Sequence, residues 1–261
     1  MKQNAWENVN IDLFGPMPDN KHVLVVTDSM SRFPAAKIVP STAATPVLKA
    51  LGGIYTDFGQ PKSHRTDNGP PFDSEAFKDF SEKAGVTHIK TFPYHPQANP
   101  AETFMKPLGK SMKIAQYNRL TKEQCLDQLL SSYRATPHIA TGQAPGSMML
   151  RGGYKSDFPG RGALSDREIE RAKEKDSSDK STRTEQLNKS THRKQHDVAI
   201  GTRIYTRNHK RTKFMPVFDP TPRTVTEVEK GGVTCIDEAG TEQRRHMDDI
   251  KEAVEPCPLP V

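Results

Sequence analysis

The order of apolar and polar positions in the first 60 residues predicts three strands and then a helix. Residues 6–16 alternate with a period of two, 21–29 form a run rich in β-branched residues, and 35–41 resemble a third strand. Residues 45–59 then carry apolar side chains at helical spacing until Gly59, which is a common helix stop. The economical arrangement of the three strands is a meander.

Shorter elements continue this pattern to residue 135. We expect a strand over 63–69, a helix over 74–85 with Ser74 as its cap, a strand over 86–92, and helices over 101–117 and 122–135. Residues 93–100 contain three prolines and are predicted to form a loop, and Pro107 is expected to kink the helix that follows. The order βββ-α-β-α-β-α-α predicts an α/β fold with a mixed five-stranded sheet.

The pattern of apolar positions changes in the second half of the chain. Apolar periodicity almost disappears after Ile169, and short strand-like pieces separated by glycine turns begin near residue 196. Ser165 and Glu168 have the spacing of a capping box that opens a helix. We therefore divide the chain into a core over 1–154, a basic polar linker over 155–195 that is helical or disordered, a small five-stranded β-barrel over 196–252, and a tail over 253–261.

Composition and charge indicate which partners and which compartment to expect for this protein. The chain has 261 residues, a mean hydropathy of −0.75, a net charge of +6 and an isoelectric point near 9.1, which favours a polyanionic partner. Residues 151–195 alone hold 12 basic and 8 acidic side chains. No apolar run reaches the roughly 18 residues of a membrane span, so we expect no membrane partner. Cys125, Cys235 and Cys257 are far apart, which predicts neither a disulfide framework nor a zinc site and favours a reducing compartment.

Three acidic residues are candidates for a catalytic or metal-binding role because of their positions in the predicted elements. Asp12 lies between apolar residues in the first strand, Asp67 comes at the end of a strand, and Glu102 opens a helix after the proline-rich loop. A carboxylate within a strand is costly to bury unless a cation neutralises it. The alternative for each residue taken singly is an edge position, a turn, or a favourable interaction with a helix dipole. Carboxylates that converge would suit Mg²⁺ or Mn²⁺, which prefer oxygen ligands.

The sequence words around these residues resemble a known family. They read IDLFGP around Asp12, RTDNGPPF around Asp67 and YHPQANPAETFMKPLGK around Glu102, followed by YRATPHIATGQAPGSMML, IGTRIYTRN and RRHMDDIK. Together they closely resemble the integrase of gypsy-type LTR retrotransposons, a branch of the retroviral integrase superfamily. The resemblance covers residues 5–153 strongly and 197–252 more weakly.

This resemblance implies both a fold and an activity. The family has an RNase H-like integrase core and a small C-terminal SH3-like or chromodomain-like barrel, and its DDE triad maps onto Asp12, Asp67 and Glu102 as catalytic residues and metal ligands. The implied activity is that of an endonuclease and DNA strand transferase, which processes DNA 3′ ends and joins them to target DNA with two Mg²⁺ or Mn²⁺ ions. The resemblance also implies element ends and target DNA as partners, a homo-oligomer when active, and the nucleus as the site of action, with the cytoplasm before import.

Other residues are candidates for binding DNA or shaping the site. Lys106, Lys110 and Lys113 follow Glu102 on one face of the predicted helix and would hold phosphates, although a solvated helix face is the plain alternative. A second basic cluster, on a predicted hairpin loop of the barrel, is either a DNA contact or an exposed turn. Its members are Arg207, Lys210, Arg211 and Lys213. Asn68, His95 and Asn99 are expected to shape the site without being metal ligands.

The chain also departs from the family in ways that leave other functions open. The segment between Asp67 and Glu102 is one residue shorter than usual, Pro100 replaces a usual Gly, and Thr103 replaces a usual Arg. We expect the family's N-terminal His-His-Cys-Cys zinc domain to be absent, because the core motifs begin almost at Met1. These departures favour an alternative, a catalytically inert, integrase-derived DNA- or chromatin-binding protein. A third possibility is an RNase H-like nuclease unrelated to transposition, against which the PHIATGQAPG segment and the terminal barrel argue.

Overall fold

The computed structural model describes residues 4–91, 101–117, 120–150, 153–155, 162–190, 198–209, 216–229 and 231–253. These residues fall into two compact units, which divide within a long helix at Glu185. No helix in the described ranges is both long enough and apolar enough to cross a membrane.

The first unit follows the predicted order of strands and helices closely. Its elements are β1 (Asn8–Phe14), β2 (His22–Asp28), β3 (Pro34–Val39), α1 (Ala44–Phe58), β4 (Ser63–Thr66), α2 (Glu75–Lys83), β5 (Thr87–Lys90), α3 (Ala101–Tyr117), α4 (Lys122–Ala135), α5 (Pro145–Met149) and the start of α6 (Asp166–Ser190). Most of the observed elements are shorter than predicted by one to three residues at one or both ends, because turns and caps take the flanking positions.

Five strands form one mixed sheet in the order β3-β2-β1-β4-β5. The first three strands form the antiparallel meander, whereas β4 pairs parallel to β1 and β5 pairs parallel to β4. The mixed five-stranded sheet predicted from the sequence is confirmed. Parallel pairing of β1 with β4 brings the carboxyl ends of these two strands to the same edge of the sheet.

Helices cover both faces of this sheet. On one face α1 and α2 pack against β1 and β2 through a core that includes Ile11, Leu24, Leu51 and Phe77. On the other face α3 and α4 pack through a second core, whose fully buried members are Val23, Val25, Phe104 and Leu108. Since both faces are covered, β2 is buried along nearly its whole length.

Local signals in the sequence set several helix ends. The Ser74 side chain accepts a hydrogen bond from the backbone of Phe77 and caps α2 as predicted. Ser165 and Glu168 form the predicted capping box at the start of α6, with Ser165 N donating to the Glu168 carboxylate at 2.9 Å and Glu168 N donating to Ser165 Oγ at 3.4 Å. Helix α3 is continuous through Pro107.

The first part of α6 packs within the first unit. Ala172 is buried in a small cluster with Met30 and Met148. Arg32 donates to the Asp176 carboxylate at 2.5 Å, and both side chains are about nine-tenths buried. This part of the helix is therefore anchored by a buried ion pair. The domain boundaries given above stay a prediction.

The second unit contains a five-stranded antiparallel sheet. Its strands are β6 (Arg203–Thr206), β7 (Arg223–Glu229), β8 (Gly232–Ile236), β9 (Glu242–His246) and β10 (Ile250–Glu252), in the order β10-β6-β7-β8-β9, with a short 3-10 helix over Met247–Asp249. A small core forms around Ile204, Val225, Val233 and Ile250. This arrangement is consistent with the predicted small β-barrel.

Candidate functional site

Asp12 lies in the middle of β1, on the sheet face that α3 covers. It stands directly opposite Val25 of β2, and paired residues of antiparallel strands share a face. Val25 belongs to the core beneath α3. The Asp12 side chain is half-buried, and its Oδ1 accepts a hydrogen bond from the backbone N–H of Leu13 at 2.8 Å. The carboxylate therefore interrupts an otherwise apolar surface.

The strand register places Asp67 at the same level along the sheet as Asp12. The parallel pairing of β1 with β4 matches Val9 with His64 and Asn10 with Arg65. Asp12 and Asp67 each come two residues beyond the last matched pair, Asp12 within β1 and Asp67 in the turn just after β4. Because adjacent strands of a sheet lie about 4.8 Å apart, two carboxylates at equal positions can reach one ligand.

Helix α3 borders a groove at Asp12. The groove has a volume of about 520 Å³, and its lining includes Asp12, Phe14, Met105 and Lys106. Gly109 of this helix faces β1, since an added Cβ there would make an ordinary van der Waals contact with the Phe14 ring at 3.5 Å. A carboxylate and an ammonium group thus face the same open groove, which suits a ligand that brings both a cation and a phosphate.

Glu102 lies in the first turn of α3, as the sequence predicts, but its side chain is outside the described residues. His95 and Asn99 of the predicted loop are also outside them. The register of β1 with β4 is compatible with a shared site for Asp12 and Asp67, and the convergence of all three acidic residues stays a prediction.

The turn after β4 holds Asp67 at the surface. Asp67 is exposed, and its Oδ1 accepts a hydrogen bond from Gly69 N at 3.1 Å. Only glycine fits without adjustment at position 69, because an added Cβ would lie 3.2 Å from the Asp67 carboxylate. The Asn68 side chain donates to the Thr91 carbonyl at 3.0 Å, which ties the turn to the end of β5. Asn68 therefore shapes this turn.

A buried polar group lies beneath the same turn, on the sheet face covered by α2. His64 contacts the Tyr55 hydroxyl through Nδ1 at 2.8 Å and the Ser81 hydroxyl through Nε2 at 3.0 Å. Burial lowers the pKa of His64 to about 3, so its ring is neutral. Burial also lowers the pKa of the neighbouring His88, and Lys90 adds to that effect.

Sequence reasoning missed this group, although two signals for it are present. His64 and His88 occupy the same position in two consecutive strand-like segments, and the parallel pairing of β4 with β5 places them side by side. A buried histidine in a strand requires partners of its own.

The three lysines after Glu102 lie on the exposed face of α3. Lys106, Lys110 and Lys113 are exposed, whereas Phe104 and Leu108 point into the core. The three lysines are thus open to solvent on one helix, and their binding of phosphates stays a prediction.

The second basic cluster is described only in part. Arg207 is exposed at the end of β6, and Lys210, Arg211 and Lys213 lie outside the described residues. His209, which the sequence did not single out, contacts the buried Asp249 at 3.1 Å.

Asp12 and Asp67 are the predicted metal ligands whose side chains the structure describes. Within the described ranges, no group of three His, Cys, Asp or Glu residues could hold a metal ion. The third predicted ligand, Glu102, lies outside that search. Asp12 and Asp67 are oxygen donors at one edge of the sheet, which fits Mg²⁺ or Mn²⁺ and would leave ligand positions for Glu102, water or phosphate.

Comparison with known proteins identifies the first unit. The family described as "Integrase core domain" matches residues 7–96. An uncharacterized protein of Caenorhabditis elegans is 30% identical over 136 residues, which are 52% of this chain and 11% of that protein. The Pro-Pol polyprotein of simian foamy virus type 1 is 40% identical over 96 residues, which are 34% of this chain and 8% of the polyprotein. The chain thus spans about a tenth of the length of these curated relatives.

A solved structure agrees with the fold. The intasome of simian T-cell lymphotropic virus, determined in complex with the PP2A regulatory subunit B56 gamma, contains a chain that matches with a TM-score of 0.65 at 14% identity. The match covers 98% of this chain and 81% of that chain. At this identity the similarity concerns the fold. The chain carries an integrase core domain over residues 7–96, and its sequence is similar to parts of retroviral Pol polyproteins.

Proposed function

We propose that the chain is a polynucleotidyl transferase that processes DNA 3′ ends and joins them to target DNA. The observation that carries the proposal is the parallel register of β1 and β4. Asp12, within β1, and Asp67, in the turn just after β4, each come two residues beyond the last matched pair. A pair of carboxylates so placed, beside a groove that also exposes Lys106, suits a phosphodiester held by cations.

Each acidic residue has a defined part in this proposal. Asp12 and Asp67 would hold Mg²⁺ or Mn²⁺, and Glu102 would complete the set for two ions from the first turn of α3. When bound, such a pair of ions activates the attacking oxygen and stabilises the leaving oxygen of an in-line displacement. Because Asp12 lies on a strand and Asp67 in a hydrogen-bonded turn, these carboxylates would need little reorganisation during the reaction.

The lysines would hold the nucleic acid in register with the acidic residues. Lys106, Lys110 and Lys113 present ammonium groups along about two turns of α3, which lets them contact successive phosphates of one strand. Water would attack the phosphodiester near the 3′ end, so that one P–O bond forms and one breaks. The freed 3′-hydroxyl would then attack a target phosphate in the same way. The number of phosphodiester bonds is conserved in the second step, so no external energy source is required.

The test is strand joining on short duplexes with Mg²⁺ or Mn²⁺. Glu102→Gln keeps the shape of the side chain and removes one negative charge, so it should abolish joining while leaving DNA affinity equal or slightly higher. Glu227→Gln, an exposed acidic residue on β7, is the matched control and should join as the wild type does. Joining by Glu102→Gln at the wild-type rate would contradict the proposal.

The lysine face can be tested separately. Replacing Lys106 and Lys110 by Ala should weaken DNA binding and reduce the slope of its salt dependence by about one unit for each phosphate that is no longer bound. A salt slope equal to that of the wild type would mean that α3 does not bind phosphates.

A second candidate is an inert protein that binds DNA or chromatin. Thr103 and Pro100, beside the catalytic Glu position, are the departures that favour it. DNA binding without any cleavage or joining under either metal would select this candidate. Under the first proposal we further propose that the protein acts as a homo-oligomer in the nucleus.

A further inference from the structure

A chain of two hydrogen bonds reaches Asp67 from the far face of the sheet. Thr66 Oγ1 lies 2.7 Å from the carbonyl oxygen of Asp67 and 2.8 Å from His88 Nε2. A carbonyl can only accept, so the single hydroxyl hydrogen of Thr66 is donated to Asp67. His88 must then be the donor to Thr66, which fixes its ring as the Nε2–H tautomer. The order is His88 Nε2–H to Thr66 Oγ1–H to Asp67 O.

Packing fixes the ring that begins this chain. The His88 ring lies 4.9 Å from the Phe77 ring and 5.0 Å from the His64 ring, measured between centroids. His64 is itself held by hydrogen bonds to Tyr55 and Ser81. Thr66 is completely buried. The Nε2–H group therefore points at Thr66 from a rigid base provided by α1 and α2.

These two hydrogen bonds end on the peptide group that follows Asp67, where the backbone leaves the sheet. The carbonyl of Asp67 is held by Thr66 from below, its carboxylate accepts from Gly69 N, and Asn68 is tied to Thr91. Of these three restraints, the bond from Thr66 comes from a completely buried side chain. Loss of that bond would free the peptide to rotate and would turn the carboxylate with it.

We propose that His88, acting through Thr66, is a positioning residue that orients the Asp67 carboxylate for its metal ion. This inference rests on the proposed function, because it assumes that Asp67 is a ligand. Neither side chain touches the metal or the nucleic acid. Their role resembles that of outer partners in other metal sites, where such hydrogen bonds orient the ligands.

The test measures the affinity of the full chain for Mn²⁺ alone, from the electron paramagnetic resonance signal of the free ion. Thr66→Val keeps the shape of the side chain and removes the hydroxyl, and His88→Phe keeps the aromatic packing and removes the donor. Each should raise the dissociation constant for Mn²⁺ about tenfold. The double variant should be no weaker than either single variant, because both break one chain of bonds.

Conservative variants and a matched control separate positioning from general loosening. Thr66→Ser retains the hydroxyl and His88→Gln retains an N–H donor, so both should bind Mn²⁺ much as the wild type does. Thr141→Val removes a buried hydroxyl that donates to the Gln143 carbonyl, outside this group, and it should leave Mn²⁺ affinity unchanged. If His88→Phe fails to fold, Thr66→Val still decides the question.

The variant Asp67→Asn distinguishes a failure of the positioning role from a failure of the proposed metal site. If Asp67→Asn loses Mn²⁺ binding while Thr66→Val and His88→Phe bind as the wild type does, the positioning role is wrong and the metal site stands. If Asp67→Asn itself binds Mn²⁺ with wild-type affinity, Asp67 is not a ligand, and the proposed site falls together with the positioning role.

Discussion

The two five-stranded sheets of this protein differ in how far they bury the residues of their strands. Helices cover both faces of the first sheet, and six of the seven residues of β2 are buried. In the second sheet β7 exposes Thr224, Thr226 and Glu227 to solvent. A charged side chain on a strand is therefore ordinary in the second sheet, whereas on the central strands β1 and β2 of the first it requires a partner or a ligand to offset the loss of water. Asp12 is informative because of the sheet in which it lies.

A second comparison, within the first sheet, separates structural from functional carboxylates. Asp28 at the end of β2 is completely buried, and it accepts hydrogen bonds from Trp6 N at 3.0 Å, Ser31 N at 2.7 Å and Ser31 Oγ at 2.5 Å. Asp12 is only half-buried and lines an open groove. Burial alone does not mark a functional acid, and access to a groove distinguishes the two.

The largest expected effect contrasts the two sheets directly. Asp12→Asn removes a charged ligand while keeping the shape of the side chain, so metal-dependent strand joining should fall on the order of a thousandfold. Glu227→Gln is the matched change on the second sheet and should leave the rate unchanged. Strand-joining assays on one duplex with both variants measure the contrast. Equal joining rates for the two variants would contradict it.

The next largest effect concerns the anchor of α6. Asp176→Asn leaves the Arg32 guanidinium buried without its anionic partner, which should destabilise the first unit by about 3 kcal/mol. Asp179→Asn changes an exposed residue of the same helix and should have almost no effect. Urea unfolding followed by fluorescence measures both, since the chain's single tryptophan, Trp6, is buried in the first unit.

This stabilisation should depend on pH in a definite direction. Burial alone would raise the pKa of Asp176, but hydrogen bonds from Lys180 and Arg32 outweigh it and lower that pKa. The ion pair then contributes fully above the unfolded pKa of about 4, and its contribution is lost as the pH falls through the lower folded value. The difference in stability between wild type and Asp176→Asn should shrink below about pH 4. A difference that grows on acidification would contradict the assignment.

A smaller effect tests the comparison of Asp28 with Asp12. Asp28→Asn puts an amide donor opposite the Ser31 donors and should cost about 2 kcal/mol of stability. Asp12→Asn should cost little or be slightly stabilising in the absence of metal, because it relieves repulsion with Asp67. The same urea titrations measure the pair of variants. The reverse order of stabilities would mean that Asp12 is the structural carboxylate.

Much of the fold could be predicted from the sequence, because the first sheet follows simple periodic rules. The alternation in 6–16 and the helical spacing in 45–59 placed β1 and α1 to within a few residues. The register of β1 with β4 could not be read from such patterns, since parallel pairing of distant strands is decided by tertiary packing. That register is what places Asp67 at the same level along the sheet as Asp12.

The residues that hold the site in place were harder to predict from the sequence than its acidic residues. Asp12 and Asp67 stand in recognisable sequence words, but the hydrogen bond from His88 to Thr66 crosses between two strands separated by a helix. The anchoring of α6 was equally hidden, because Arg32 and Asp176 are 144 residues apart in an apparently solvated polar segment. A single sequence shows charge, and it does not show which charges become buried.

The central claim is that Asp12 and Asp67 share a divalent cation. Anomalous diffraction from crystals soaked in MnCl₂ tests it most directly, because the scattering locates the ion without any assumption about activity. The account predicts a Mn²⁺ peak within about 2.3 Å of one carboxylate oxygen of each residue, and loss of this peak in Asp12→Asn crystals. A Mn²⁺ peak that contacts neither aspartate, or one that persists unchanged in Asp12→Asn crystals, would contradict it.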